Sequence, residues 1–279
     1  MFIYDKRLKR SEGVNMATVK RLIDRLIDEK NYKIKGGIYN LLQVDFAYNS
    51  NHIEGSSLTH EQTRYIYETE TVGIVPAKVD DIIETVNHFR MFDYILDTYK
   101  EELSEEYIKK LHYILKTSTF SSQSKEAVVG DYKKYANYVS DIKTTSPAEV
   151  SFQLRTLLKE YSYKKIELDD ILDFHAKFEK IHPFYDGNGR IGRILMFKEC
   201  LKNDIIPFYI DDKYKFEYYR GLNEWQKGND KGYLRDTCLF MQDHMKKLMK
   251  YFQIGADSYT NTTSETPNIS PTTKDELEI

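Results

Sequence analysis

His182-Pro183-Phe184-Tyr185-Asp186-Gly187-Asn188-Gly189-Arg190-Ile191-Gly192-Arg193 is the stretch on which both the fold and the chemistry of this 279-residue chain turn. Upstream of it, Leu168, Ile171, Leu172, His175, Phe178 and Ile181 recur at helical spacing, and Pro183 ends that helix because its ring blocks the ladder and it has no N–H. The glycines free the backbone to turn, and a new helix is predicted from Arg190 through Ile194, Leu195 and Phe197. A helix that starts straight out of such a loop presents unpaired N–H groups and the positive end of its dipole, which makes an anion site. Arg190 and Arg193, at i and i+3, share one side of the new helix and can reach one polyphosphate. Asp186 supplies a hard oxygen suited to a Mg²⁺ ion arriving on phosphates, and His182 supplies a base for a hydroxyl proton. Together the parts describe nucleotide transfer. Gly187-x-Gly189-x-x-Gly192 also matches the dinucleotide-binding fingerprint, but that fingerprint must follow a strand and here follows a helix. A P-loop reading fails because Arg193 and Ile194 stand where Lys and Ser/Thr are required. A plain interhelical turn explains the glycines but not the His, Asp, Asn and two Arg beside them.

Outward from this loop the chain reads as helical. Val19, Leu22, Ile23, Leu26 and Ile27 form one stripe, and Ile38, Leu41, Leu42 and Tyr48 a second that runs to Glu54 and stops at Gly55. Ile82 to Leu96 marks a long helix, Ser104 is an N-cap, and Ser146-Pro147-Ala148-Glu149 reads as a capping box. Strand material is short: Val128 to Val139 and Ile205 to Ile210. The fold class is therefore all-α, a helical bundle around the helix-loop-helix.

Composition narrows the function classes. With 41 basic and 44 acidic side chains, the near balance argues against a nucleic-acid binder that tracks phosphates by bulk charge. No window reaches a membrane span, residues 1–15 lack the apolar stretch of a secretory signal, and Cys200 and Cys238 need no pairing, so a cytoplasmic protein is expected. From about residue 254 to 279 the sequence is rich in Thr, Ser and Pro with little to bury, as expected of a disordered tail. The excess of tyrosine, 23 against 14 Phe, fits either packing with a wet hydroxyl or ligand contact.

His-Pro-Phe-x-Asp-Gly-Asn-Gly-Arg-x-x-Arg, from His182 to Arg193, resembles the complete signature of the Fic family, whose members typically transfer AMP from ATP to protein hydroxyls. The resemblance extends over roughly residues 78–252 and implies an N-terminal helical region (1–77), a Fic core (78–253) and the tail (254–279). It implies His182 as general base, Phe184 as an apolar plug, Asp186 as ligand of Mg²⁺ or Mn²⁺, and Gly187, Asn188 and Gly189 as the anion hole for the α-phosphate. Arg190 and Arg193 would hold the outer phosphates of ATP. Related toxin kinases carry Lys where this chain has Gly189, which favours AMP transfer here. Tyr219 and Gln226 stand where a tyrosine and an asparagine of the family touch the nucleoside, and Val128 to Val139 where it carries a β-hairpin flap that pairs with an extended target segment.

Ser50-Asn51-His52-Ile53-Glu54-Gly55 resembles the inhibitory motif of the same family. Ser50 and Glu54 lie at i, i+4 on one helix face, and the resemblance implies that Glu54 reaches Arg193 and takes the space of the γ-phosphate. The expected activity is AMP transfer to a Ser, Thr or Tyr of a protein, this chain included. The alternatives are AMP removal with Glu54 orienting water, and a non-catalytic nucleotide sensor. The target is unnamed by the sequence; a homo-oligomer is compatible with the family, and neither nucleic acid nor membrane is expected as a partner.

Overall fold

A computed structural model describes residues 16–73, 76–124, 128–139, 142–163 and 165–255. Along them run α1 (Met16–Asn31), α2 (Ile38–Ile53), α3 (His60–Thr69), α4 (Val79–Asp97), α5 (Glu105–Lys116), β1 (Tyr138–Val139), β2 (Ile142–Lys143), α6 (Pro147–Ser162), α7 (Leu168–Ile181), α8 (Asn188–Lys202), α9 (Lys215–Gln226) and α10 (Gly232–Tyr251). The expected all-α class is what the structure shows. The centre is α8, buried from Asn188 through Leu201 on every face, as a helix must be when neighbours cover it all round. Its inner charges are matched within the core: Lys198 donates to Glu199 at 2.7 Å, and Glu199 also accepts from the Tyr161 hydroxyl at 3.0 Å.

One apolar cluster runs from Val19 to Ile254 and joins the N-terminal helices to the rest. Phe46 of α2, Phe92 of α4 and Phe197 of α8 interlock with ring centroids 5.4–6.2 Å apart. Each is fully buried, and burying a side chain of this size stabilises by roughly 1.5–3 kcal/mol. The triad fixes α2 against α8, which decides where residues 50–54 sit. Close approach of α7 and α8 depends on Gly192: a Cβ there would lie 2.5 Å from Glu179 Oε1 and 2.7 Å from the His175 ring.

Local signals mostly act as expected. Ser104 accepts from the Tyr107 N–H at 3.0 Å, and α2 ends at Ile53 with Glu54 as its C-cap. Three expectations need correcting. Pro147 opens α6, but Ser146 makes no cap to the backbone; its hydroxyl donates to the Glu149 carboxylate at 2.5 Å, so the two side chains of the supposed box satisfy each other. Ile206, Pro207, Phe208 and Ile210 are buried, yet 205–210 is neither strand nor helix; the Gln242 amide of α10 holds Ile206 O at 2.7 Å. Of Val128 to Val139 only Tyr138–Val139 is strand, paired antiparallel with Ile142–Lys143 in a two-residue ladder. The tail expected over 254–279 lies outside the described residues from 256 on, while Ile254 is buried on the core. No described helix is long and apolar enough to cross a membrane.

Candidate active site

Helix α7 ends where Pro183 requires. His182 takes the left-handed conformation (φ 51°) with its N–H on Phe178 O at 2.9 Å, and so leaves the helix axis. Gly187 takes the same region at φ 86°, which is nearly free for glycine and strained for other residues, and α8 starts at the next residue. Between them Phe184 is fully buried and stacked on His112, with centroids 3.9 Å apart and planes 1° from parallel. The Asn188 side chain accepts from Phe184 N–H and donates to Phe184 O, both at 2.9 Å. Its amide therefore closes the loop immediately before the first turn of α8. His112 adds a brace: its Nδ1 takes the Gly130 N–H at 2.9 Å and its Nε2 faces Asp186 O at 3.2 Å.

The two arginines do share a side of α8, and each is almost completely buried. Arg193 donates from Nη2 to Glu54 Oε1 at 2.7 Å and to Ser50 O at 2.8 Å, and from Nε to Ser50 Oγ at 3.1 Å. Ser50 and Glu54, on one face of α2 by their spacing, thus converge on one guanidinium. The Glu54 carboxylate lies over the first turn of α8: a Cβ on Gly189 would be 2.1 Å from its Oε1. Arg193 Nη1 is buried without a partner, a donor aimed at the same place. Burial opposes the charge on Arg193, but Glu54 outweighs it and holds the guanidinium pKa above its ordinary value. Arg190 instead ion-pairs with Glu84 of α4 and approaches both Asp186 oxygens at 3.3–3.4 Å.

His182 is partly buried, and its Nδ1 has no partner. Burial first and the nearby Lys133 ammonium second pull its pKa down to about 4, so the imidazole is neutral at physiological pH and able to accept a proton. Lys133 is buried beneath it, donating to Asn137 Oδ1 at 2.8 Å and Thr144 Oγ1 at 2.7 Å, while its backbone N–H holds Pro183 O at 2.9 Å. Burial lowers the Lys133 pKa to about 8. Glu179, one turn before His182, is pushed by burial up to about 8, and its Oε1 has no partner.

Asp186 is the hard-oxygen side chain of the loop, and both of its oxygens are engaged. Oδ1 takes the Gly187 N–H at 2.6 Å, and Oδ2 takes the Lys116 ammonium at 2.6 Å. Burial works against its ionisation, but Arg190 and Lys116 outweigh that and hold the carboxyl well below the usual range. No group of three or more His, Cys, Asp or Glu among the described residues could hold a metal ion. The residues present therefore do not fit a resident divalent cation.

Of the remaining expected residues, Tyr219 lies beside Glu54 and Gln226 lies against α7. Tyr219 of α9 is 43% exposed, with its hydroxyl 3.4 Å from Ile53 O beside Glu54, so its ring is available to a ligand. Gln226, at the end of α9, spends its amide N–H₂ on Ala176 O at 3.0 Å. Sequence reasoning missed Glu84, Lys116, Lys133, His112 and Glu179.

Comparison with known proteins agrees with this geometry. Residues 102–200 match the model of the Fic/DOC family. The chain is 28% identical over 193 residues to a protein adenylyltransferase Fic of Nematostella vectensis, covering 67% of this chain and 44% of that protein. It is 26% identical over 230 residues to the protein of the same name from Drosophila willistoni, covering 80% and 43%. The chain thus spans less than half the length of the curated relatives it matches. Among solved structures, a Fic domain containing signaling protein from Bacteroides thetaiotaomicron superposes with TM-score 0.64 at 20% identity, covering 82% of this chain and 94% of that one. A solved structure of Fic-1 from C. elegans gives a TM-score of 0.65 at 19% identity, covering 85% and 72%. Fold, loop and family model agree over the core: residues 102–200 match the Fic/DOC family model, within a fold like that of solved Fic-domain proteins.

Proposed function

We propose that the protein transfers AMP from ATP to a Ser, Thr or Tyr hydroxyl of a protein, itself included, and that Glu54 restrains it. Supporting this is one observation above the rest: a buried, neutral imidazole and two buried guanidiniums flank the loop and first turns of α8, and a carboxylate stands over that N-terminus. In this proposal the triphosphate lies along the first turn of α8, with the α-phosphate on the N–H groups of Asn188 and Gly189 and on that of Gly187, which Asp186 Oδ1 releases to it. Arg190 and Arg193 hold the outer phosphates, and Tyr219 and Gln226 border the nucleoside. His182 takes the proton of the target hydroxyl, whose oxygen attacks the α-phosphorus. The bond from that phosphorus to the bridging oxygen breaks, and pyrophosphate leaves with the bonding pair. The helix N–H groups face the charge that builds on the α-phosphate. Asp186 is the side chain that would meet a Mg²⁺ or Mn²⁺ carried by the nucleotide.

Glu54 restrains the reaction because a carboxylate on a guanidinium substitutes for a phosphate, so the γ-phosphate must evict it before Arg193 is available. Removing Glu54 should release the brake. In this division residues 1–77 regulate, residues 78–253 catalyse, and the protein works in the cytoplasm. The test is labelling with ATP radiolabelled at the α-phosphate. Glu54→Gly should incorporate more label than wild type, and His182→Ala in that background should incorporate none; equal labelling of all three refutes transfer. The Glu54 side chain is also 30% exposed at the mouth of the site, where it can orient a water. Release of AMP from a modified target by wild type, lost in Glu54→Gly, would assign that carboxylate to AMP removal instead.

A further inference from the structure

Lys116 is an unusual residue to find against the loop carboxylate. It closes α5, yet its side chain is only 4% exposed, and its ammonium touches Glu84, Asp186 Oδ2 at 2.6 Å and Ser121 Oγ at 3.2 Å. Arg190 meets the same two carboxylates from the other side, so two cations and two anions close a neutral, mostly buried ring across α4, α5, the loop and α8. Asp186 is the outermost member, with its side chain 50% exposed. A cavity of about 170 Å³ opens beside Lys116 and Asp186 and is bordered by Ser121, Ser122 and Tyr185. There is room on that side for the ammonium to withdraw.

We propose that Lys116 is a tethered cation filling the place on Asp186 that a nucleotide-borne divalent ion takes, and that it thereby sets the metal affinity of the site. The inference rests on the proposed role of Asp186 toward the nucleotide. An ammonium 2.6 Å from a carboxylate oxygen competes directly with any cation for that oxygen, by charge and by space. While Lys116 and Arg190 are both in place, the carboxylates of Asp186 and Glu84 are already neutralised, and a bare divalent ion gains little. A triphosphate shifts the balance by adding negative charge, after which Lys116 moves toward Ser121 and the cavity. Lys116 is a positioning residue: it acts on the metal through Asp186 and touches no reacting atom.

The test is Mn²⁺ binding to the full chain without nucleotide, read by electron paramagnetic resonance as loss of the free-ion signal. Lys116→Met, and Lys116→Gln as a polar second variant, should bind Mn²⁺ about tenfold or more tighter than wild type, while Lys116→Arg should stay near wild type. Adding Asp186→Asn to Lys116→Met should remove the gained site. A merely structural role for Lys116 would lower the melting temperature and leave Mn²⁺ affinity unchanged. Equal affinity in wild type and a folded Met or Gln variant overturns the proposal. Should neither variant fold, wild type decides: nucleotide-free Mn²⁺ binding that Asp186→Asn abolishes overturns it, and no such binding upholds it. Because no transfer is measured, failure of the AMP-transfer reading shows separately, as absent labelling in Glu54→Gly.

Discussion

Arg190 and Arg193 leave the same side of one helix, yet their surroundings differ in kind. Arg193 is held by a single carboxylate from the end of α2, 139 residues away in sequence, together with the serine one turn earlier. Glu54 sits at a helix cap and is partly open to solvent, so it can leave without disturbing the core. Arg190 is tied into a ring with Glu84, Asp186 and Lys116, three of whose four members are at least 88% buried at the side chain. One guanidinium therefore has a removable partner and the other a fixed frame. The carboxylate at a partly open cap is the easier of the two to displace, whereas the second guanidinium is packed between α4, α5 and the loop.

Substitutions can break this contrast or sharpen it. The largest effect is expected from His182→Ala in the Glu54→Gly background, where loss of the base should lower AMP incorporation by roughly 10²–10⁴-fold with nucleotide binding retained in calorimetry. Glu54→Gly alone should raise incorporation by about tenfold or more. It should also lower stability by about 1–3 kcal/mol, since the buried Arg193 loses its counter-charge and keeps only Ser50. Chemical denaturation gives that value; a Glu54 variant that is both unchanged in activity and several kcal/mol less stable would make the pair structural. Glu84→Gln should behave in the opposite way, costing on the order of 3 kcal/mol of stability by leaving Arg190 and Lys116 to share one carboxylate, and raising activity not at all.

Acid should expose the same frame. Burial lowers the pKa of His88 and His175 to about 3 and of His112 and His182 to about 4, whereas their unfolded values lie near 6.5. Between those values the unfolded chain binds more protons, so stability falls as pH drops from 7 to 5. Glu179, raised to about 8, contributes with the opposite sign but is one group against four. Melting temperatures across that range should fall steadily; a flat profile would mean that the imidazoles are not held neutral. The smallest effect is expected at Gln226, whose amide already bonds Ala176 O: Gln226→Asn should change the KM for ATP only a few-fold, about 1 kcal/mol or less.

The loop and the brake could be read in the sequence because their information is local. Pro183 and Gly187 fix the turn wherever the chain goes, and Ser50 and Glu54 share a face by helical spacing alone. The ring around Arg190 could not. Lys116 stands at the end of α5, where a lysine is expected on dipole grounds, so nothing marked it as buried. Glu84 and Lys133 look like ordinary solvated charges until α4 and the chain before β1 are folded against α8. The apolar run at 205–210 misled for a related reason: it marks side chains that are covered, and helices cover them as well as a neighbouring strand would. Long-range charge partners are set by packing, which a single sequence does not display.

The central claim is that Glu54 occupies the place of a phosphate on Arg193 and so restrains AMP transfer. Intact-mass spectrometry of Glu54→Gly protein incubated with ATP tests it most directly, beside wild type and Glu54→Gly with His182→Ala. The account predicts that the single variant gains the mass of one or more AMP groups, wild type far less, and the double variant none. A single variant that stays unmodified, by itself and on any protein supplied as target, while still binding ATP would contradict it.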